Sequence, residues 1–308
     1  MNDKEIAIAK GKYLERICRL LFEDAGYTLL QQKRGVVKYN GSTSIVEIYG
    51  RGTKHQIDLP YEFLYPLPFL NPIQVLGEVK YRNKKIDKSF IREFIGVIDD
   101  ISQNHVVSHK SSVSGLEVRR LTQGLFISAS GFDKEAEKLA YAHNIKLIAF
   151  NNNPVFLPIL NKIDEICSGF SANPWINPYT MDELSDFDQF FKTRIKSYFL
   201  ATTTTGHLMY FISFNDFYFD SRQKYYDATV TYSDKIEEEN YVQLHLDNMI
   251  FHSSLPNTIY KEFIEQNKKY GNAITAKQQH FSPLTIYKMI NGNMRIIQIY
   301  YKVQKQII

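Results

Sequence analysis

Some stretches of this chain place apolar residues at the helical period, others at the two-residue strand period, and the switches between them predict its elements. Leu14, Ile17, Cys18, Leu21 and Ala25 recur at helical spacing, predicting an amphipathic helix over 4–25 that Gly26 ends. Residues 27–50 alternate as two strands joined around Asn40-Gly41, a hairpin turn signal. Residues 74–80, Gln-Val-Leu-Gly-Glu-Val-Lys, have the apolar density of a strand. The proline-punctuated stretch 60–72 reads as a loop or insertion, because proline cannot sit in a central strand. A helix is predicted over 89–103 with Phe90, Phe94, Val97, Ile98 and Ile101 inward, then a polar exposed loop over 103–121. A short buried strand at 123–129, a helix at 133–144 and a strand at 145–150 complete a β-α-β unit with parallel pairing.

Asn151-Asn152-Asn153-Pro154 is polar and proline-stopped after a buried strand, which divides the chain into an α/β domain at 1–150 and a second domain at 151–308. In the second, 154–178 reads as irregular and contains the single tryptophan, Trp175. Residues 180–199 have helical spacing, acidic at Asp182 and Glu183 and basic at Lys192, Arg194 and Lys196, in line with the helix dipole. Aromatic-rich strands are predicted at 208–219, 225–232 and 240–250, a helix at 257–270, and a last hairpin of 285–290 and 294–303 turned at Asn291-Gly292-Asn293. This half reads as α+β. Tyr210, Phe211, Phe214, Phe217, Tyr218 and Phe219 suit a sheet core, or stacking on nucleobases.

Composition narrows the class. The 308 residues, 44% hydrophobic and 23% charged, suit two folded domains. The first dozen residues are charged and no apolar run is long enough to cross a bilayer, so the expectation is a cytoplasmic chain without a signal peptide or membrane anchor. Cys18 and Cys167 stand in no metal-ligand spacing and read as reduced thiols. No Gly-rich nucleotide loop or nucleophile elbow occurs, so no nucleotide cofactor is expected. The net charge is +4, and all of the excess lies in 1–150, which holds 22 basic and 17 acidic residues against 15 and 16 beyond. That distribution suits a polyanion-handling first half.

The candidate chemistry falls within 57–81. Asp58 precedes the proline-rich stretch, and Glu78 and Lys80, two apart, share one face of the predicted strand. Two carboxylates can hold a hard divalent cation through oxygen and leave positions for water and a phosphate. A lysine beside them can orient or deprotonate the attacking water and offset charge growing on the phosphorane. Glu15 shares a helix face with Gly11, either as a solvent-facing glutamate or as a further acidic group where a strand approaches closely. Arg51, Lys54 and His55 suit phosphate contacts or an ordinary charged loop. Arg82, Lys84 and Lys85 lie just beyond Lys80, where a nucleic-acid backbone would have to run, although such runs are also solvated faces. Ser128 and Ser130 suit phosphate donation or a helix N-cap.

An Asp, a gap and Glu-x-Lys on a strand, within the order helix, hairpin, Asp strand, Glu-x-Lys strand, helix, strand, helix, strand, resembles the PD-(D/E)xK nucleases, in particular the Mrr-like restriction endonuclease catalytic domain, over about 5–150. The proline-rich insertion after Asp58 and the long 103–121 loop depart from that pattern. The resemblance implies a restriction-endonuclease-like mixed sheet flanked by helices and a metal-dependent endodeoxyribonuclease acting on DNA. It implies Asp58, Glu78 and Glu15 as Mg²⁺ ligands, with Mn²⁺ as a substitute, and Lys80 as the catalytic lysine. The products would carry a 5′-phosphate and a 3′-hydroxyl. A role in restriction or phage defence follows, with the second domain selecting DNA or holding a homo-oligomer or partner subunit. Two alternatives stand beside it: a nuclease-derived scaffold subunit of a defence or repair complex, and a Holliday-junction resolvase-like enzyme.

Overall fold

The computed structural model describes residues 3–30, 37–40, 45–63, 71–104, 120–172, 181–232, 240–261 and 283–305. The first helix, α1 (Asp3–Asp24), agrees with the helical spacing of the sequence, and Gly26 at φ +82° turns the chain out of it. Then come β1 (Tyr27–Leu29), β2 (Val37–Asn40), β3 (Ile45–Tyr49), β4 (Lys54–Gln56), β5 (Leu59–Phe63) and β6 (Ile73–Lys80). Next are α2 (Lys88–Ser102), β7 (Leu121–Ser128), α3 (Lys134–Ala142) and β8 (Lys146–Ala149). Five of these strands form one mixed sheet in the order β1-β5-β6-β7-β8, antiparallel across β5 and parallel from β6 to β8. The predicted β-α-β unit is β7-α3-β8. The hairpin expected at Asn40 is β2 and β3, with Asn40 opposite Ile45, and together with β4 it makes a separate three-stranded sheet.

Strand alternation separates the sheet's two faces. Val75 and Val79 of β6 join a core with α1, whereas Leu76 joins another with α2 and α3. In α2 the fully buried set is Ile91, Phe94, Ile95, Ile98 and Ile101; Phe90 and Val97, expected inward, are only half-buried.

The expected loop at 60–72 is corrected at its start, because Leu59–Phe63 is a strand between β1 and β6. Proline is tolerated there because the Pro60 carbonyl accepts from Leu30 N (2.9 Å), so its missing N–H points to the same side, just past the end of β1. The ladder to β6 loses nothing. Residues 64–70 and 105–119, which make up most of the expected loops at 60–72 and 103–121, lie outside the described residues.

Beyond β8 the reading of 154–178 as irregular is overturned by α4 (Leu157–Ala172), which packs on α1. Asn153, buried, accepts at its side-chain oxygen from Val155 N (3.0 Å) and Phe156 N (3.3 Å) at the entry to α4. Pro158 sits in the first turn, where no intrahelical N–H is required. Trp175 lies outside the described residues. Helix α5 (Met181–Arg194) is followed by β9 (Ser197–Thr202), where the sequence had suggested continued helix to 199.

The remaining strands are β10 (Leu208–Ser213), β11 (Tyr225–Tyr232), β12 (Tyr241–Leu246), β13 (Met249–Ser254), β14 (Leu284–Ile290) and β15 (Asn293–Lys305). With β9 they close a seven-stranded barrel in the order β10-β13-β12-β11-β15-β14-β9, parallel at β11–β15 and antiparallel elsewhere. The strand expected over 240–250 is two, because Asp247, at φ +51°, reverses the chain between β12 and β13. The strand expected over 208–219 ends at Ser213. The final hairpin turns at Asn291-Gly292, both at positive φ. Of the helix expected over 257–270, residues 257–261 are helical and the rest lie outside the described residues.

Strands β9 and β10 serve two cores. Phe199, Ala201, Met209 and Phe211 fill the barrel, while Leu200, Tyr210 and Ile212 face the core shared with α1, α4 and the mixed sheet. Tyr210 is fully buried, and its hydroxyl donates to Ala149 O (3.0 Å) and accepts from Asn153 Nδ2 (3.0 Å) and Ser254 N (3.2 Å). Tyr210 and Phe211 are therefore core residues without a face to offer a base, whereas Phe214 and Tyr218 are exposed.

Candidate active site

Asp58 is carried between β4 and β5, one residue before the β5–β6 ladder. Its first pair, Leu59 opposite Gly77, sets Asp58 opposite Glu78. The two strands come unusually close at that pair: a Cβ on Gly77 would lie 2.8 Å from Leu59 Cβ, so glycine is required by space. Asp58 Oδ2 accepts from Val79 N at 3.0 Å, which fixes the carboxylate against β6. Lys80 Nζ donates to Glu78 Oε1 from two residues on, on the same side of the strand.

Glu15 of α1 is buried and enters the field of this group. Its carboxylate accepts from Lys12 Nζ at 2.9 and 2.6 Å, and Arg19 Nη2 lies 3.9 Å away. Burial raises the Glu15 pKa, and the charge of Asp58 adds to the rise. Glu78 is pushed up to about 7, first by burial and then by the charge of Asp58, with Lys80 opposing and Glu15 adding a little. Burial pulls Lys80 down, but the Glu78 carboxylate, with Asp58 and Glu93 behind it, outweighs this and raises its pKa. Burial and the charge of Asp58 thus leave both Glu15 and Glu78 ill at ease as anions without a cation.

Among the described residues, no three His, Cys, Asp or Glu side chains converge closely enough to cage a metal ion. A cage is not what Mg²⁺ needs: it is usually held by one or two carboxylates and completes its shell with water and substrate phosphates. Asp58 and Glu78, two hard oxygen donors set opposite each other by the β5–β6 register, fit that donor set. Glu15, held by Lys12, stands behind them. Gly11, one turn away, faces open space, with no other described residue within 4 Å of where its Cβ would stand.

The basic residues are placed in two separate groups. Arg51 and Lys54 are exposed, and His55 is half-buried. Their loop is tied to the end of α2 by Asp100, whose carboxylate accepts from Gly52 N (2.8 Å) and Thr53 N (3.3 Å) and pairs with His55 Nε2 (2.7 Å). Lys54 Nζ lies 4.8 Å from the Tyr49 ring centroid. Arg82, Lys84 and Lys85 are exposed at the other end of α2, with the Arg82 guanidinium 4.7 Å from the Phe90 ring centroid. The anchors of the two loops, Asp100 and the α2 N-cap Asp87, are about 20 Å apart at 1.5 Å per residue. His55 is held by Asp100 and is not joined to the carboxylate group.

Ser128 and Ser130 are not N-caps, since Asp133 caps α3 by accepting from Ala136 N (2.7 Å). Ser130 Oγ instead donates to Lys84 O (2.7 Å) and fastens the basic loop beyond Lys80 to the end of β7. Asp100 was missed by sequence reasoning, being some 45 residues from the loop it holds and carrying no local signal. Lys12 and Arg19, three before and four after Glu15, had a legible one in their helical spacing.

Residues 6–152 match the family model described as a restriction endonuclease, of the Mrr catalytic type. Among solved structures, the crystal structure of a protein of unknown function is similar at 13% identity, over 57% of this chain and 88% of that one, with a TM-score of 0.32. A likeness at that level carries no argument. No curated protein matches the chain. Among the described residues, no helix is long and apolar enough to cross a membrane.

Proposed function

Residues 6–152 belong to the Mrr-type restriction endonuclease catalytic family, and on that premise we propose that the protein is a divalent-metal-dependent endodeoxyribonuclease whose active residues are Asp58, Glu78 and Lys80, supported by Glu15. The observation that carries this reading is the register of β5 against β6, which sets Asp58 opposite Glu78 with Lys80 two residues on.

Asp58 and Glu78 would hold the cation, Mg²⁺ or Mn²⁺. When bound, it supplies charge for the phosphate and acidifies a bound water. Asp58, pinned by the Val79 amide, contributes a fixed oxygen, and Glu78 gains as an anion what burial and its neighbours now take away. Lys80, whose ammonium is favoured by Glu78, Asp58 and Glu93, acts as a donor that orients the scissile phosphate and offsets its developing charge, rather than as the base. Glu15, paired with Lys12 and near Arg19, adds its charge from behind. The loops bearing Arg51 and Lys54 and bearing Arg82, Lys84 and Lys85 would hold the phosphate backbone on either side. Their anchors, Asp100 and Asp87, are separated by the length of α2, about 20 Å, the span of about six base pairs at ~3.4 Å per step. A role in restriction or phage defence, with the 151–308 segment selecting DNA or holding a partner, completes the reading.

The test is nicking and cleavage of supercoiled plasmid with Mg²⁺ or Mn²⁺ by wild type, Asp58→Asn and Lys80→Met. Metal-dependent cutting lost in both variants supports the assignment. Cutting that survives in Asp58→Asn removes it.

A further inference from the structure

By strand alternation, Ile73 and Val75 face away from Glu78 and Lys80, and on that far side of the sheet lies an apolar cavity of about 310 Å³. It opens where α1, β6 and β7 meet the barrel strands β9, β10 and β14. Phe22, Val75 and Leu125 wall it from one side, and Leu200, Leu208 and Tyr287 from the other. Neither the catalytic reading nor the core packing uses it. Its volume is at the lower end of the range for small-molecule pockets, about 300–1,000 Å³.

Among the described residues its one charged lining group is Lys146, at the start of β8. The side chain is half-buried, and its ammonium passes under the Gly206 turn, 3.7 Å from where a Cβ on that glycine would stand. It donates to Asn144 Oδ1 at 2.8 Å, a neutral partner. Among the described residues no carboxylate pairs with it, and burial pulls its pKa down with no charge opposing. A cation at the edge of an apolar chamber, half withdrawn from water and without a counter-ion, is stabilised by an anion that fills the chamber with its apolar part.

We propose that this cavity binds a small amphipathic monocarboxylate, its apolar body between Val75, Leu125 and Leu208 and its carboxylate on Lys146 Nζ. Because the walls come from both the catalytic sheet and the barrel, occupancy would hold these two parts together.

The experiment is calorimetric titration of the full-length protein with decanoate, and separately with 1-decanol. Wild type should bind decanoate saturably. Lys146→Met should weaken decanoate binding about tenfold while leaving decanol binding unchanged, and Lys146→Arg should restore most of it. Leu208→Trp, which fills the cavity, should abolish binding of both. Absence of saturable decanoate binding, or equal affinity in wild type and Lys146→Met, overturns the proposal, as does undiminished binding in a folded Leu208→Trp. Should Leu208→Trp fail to fold by circular dichroism, the Lys146 pair decides alone. The titration reads binding and not cleavage, so its outcome stands apart from that of the catalytic assignment.

Discussion

Replacing Asp58 by Asn should make the metal-free protein more stable while destroying its response to metal. The Asn side chain keeps an oxygen for the Val79 amide, so the change removes charge and leaves the hydrogen bond. Glu78 carries the consequence. Its pKa is raised from 4.5 to about 7, so ionising it in the folded state costs about 3 kcal/mol at ~1.36 kcal/mol per pKa unit. A raised carboxyl contributes stability that is fully present below its unfolded value, near 4.5, and is lost as pH rises through about 7. Burial is the largest cause and the charge of Asp58 the next, so roughly 1–2 kcal/mol should return when that charge is deleted. Thermal melts at low salt and pH 8 should then show Asp58→Asn melting several degrees above wild type, at roughly 2–4 °C per kcal/mol. At pH 5.5, where Glu78 is protonated in both proteins, the difference should disappear. Adding Mg²⁺ at a hundred times its Kd should raise wild type by about 2.7 kcal/mol and leave the variant unmoved, which inverts the order. An Asn variant less stable than wild type at pH 8 without metal, or one stabilised equally by metal, refutes the reasoning.

Metal affinity itself should rise with pH through about 7, with close to one proton released per ion bound, and calorimetry in buffers of different ionisation enthalpy measures this directly. Gly77→Ala should cost roughly 1–3 kcal/mol in chemical denaturation, because the new Cβ meets Leu59 at 2.8 Å and pushes β5, with Asp58, away from β6. Glu137→Ala should destabilise by roughly 2–3 kcal/mol and speed amide exchange at Asn257 and Thr258, since the buried Glu137 carboxylate accepts from both amides and from Thr258 Oγ. Asp100→Ala should lower plasmid cleavage severalfold while preserving the metal-induced rise in melting temperature, because it frees the Arg51–Lys54 loop without touching the carboxylates. Loss of metal stabilisation in that variant would argue against a separate DNA-positioning role.

The sequence by itself determined what repeats locally or is carried by neighbours in the chain. The helical spacing of α1, α2 and α3, the placing of Glu78 and Lys80 on one face of β6, and the turn at Asn291-Gly292 were all legible. Periods and turn propensities act over a few residues, and so they survive in the linear text. The pair Glu78 and Lys80 was visible for that reason, and the order of elements around it pointed to the family that residues 6–152 match. Only the tertiary structure decided what depends on partners far away. Pro60 lies inside a strand because its missing N–H falls beyond the end of β1, a fact about β1 and not about residues 60–72. The stretch 154–178 read as irregular, and it is helical over 157–172 because Asn153 supplies the cap and α1 the surface to pack on. Asp100 gained a role only when the fold brought it to a loop some 45 residues away. The barrel closes through β9 with β14 and β11 with β15, pairings of strands about 70 or more residues apart. A strand's pattern tells which of its faces is buried but not which strand lies beside it, and the closure of the sheet is a choice among such neighbours.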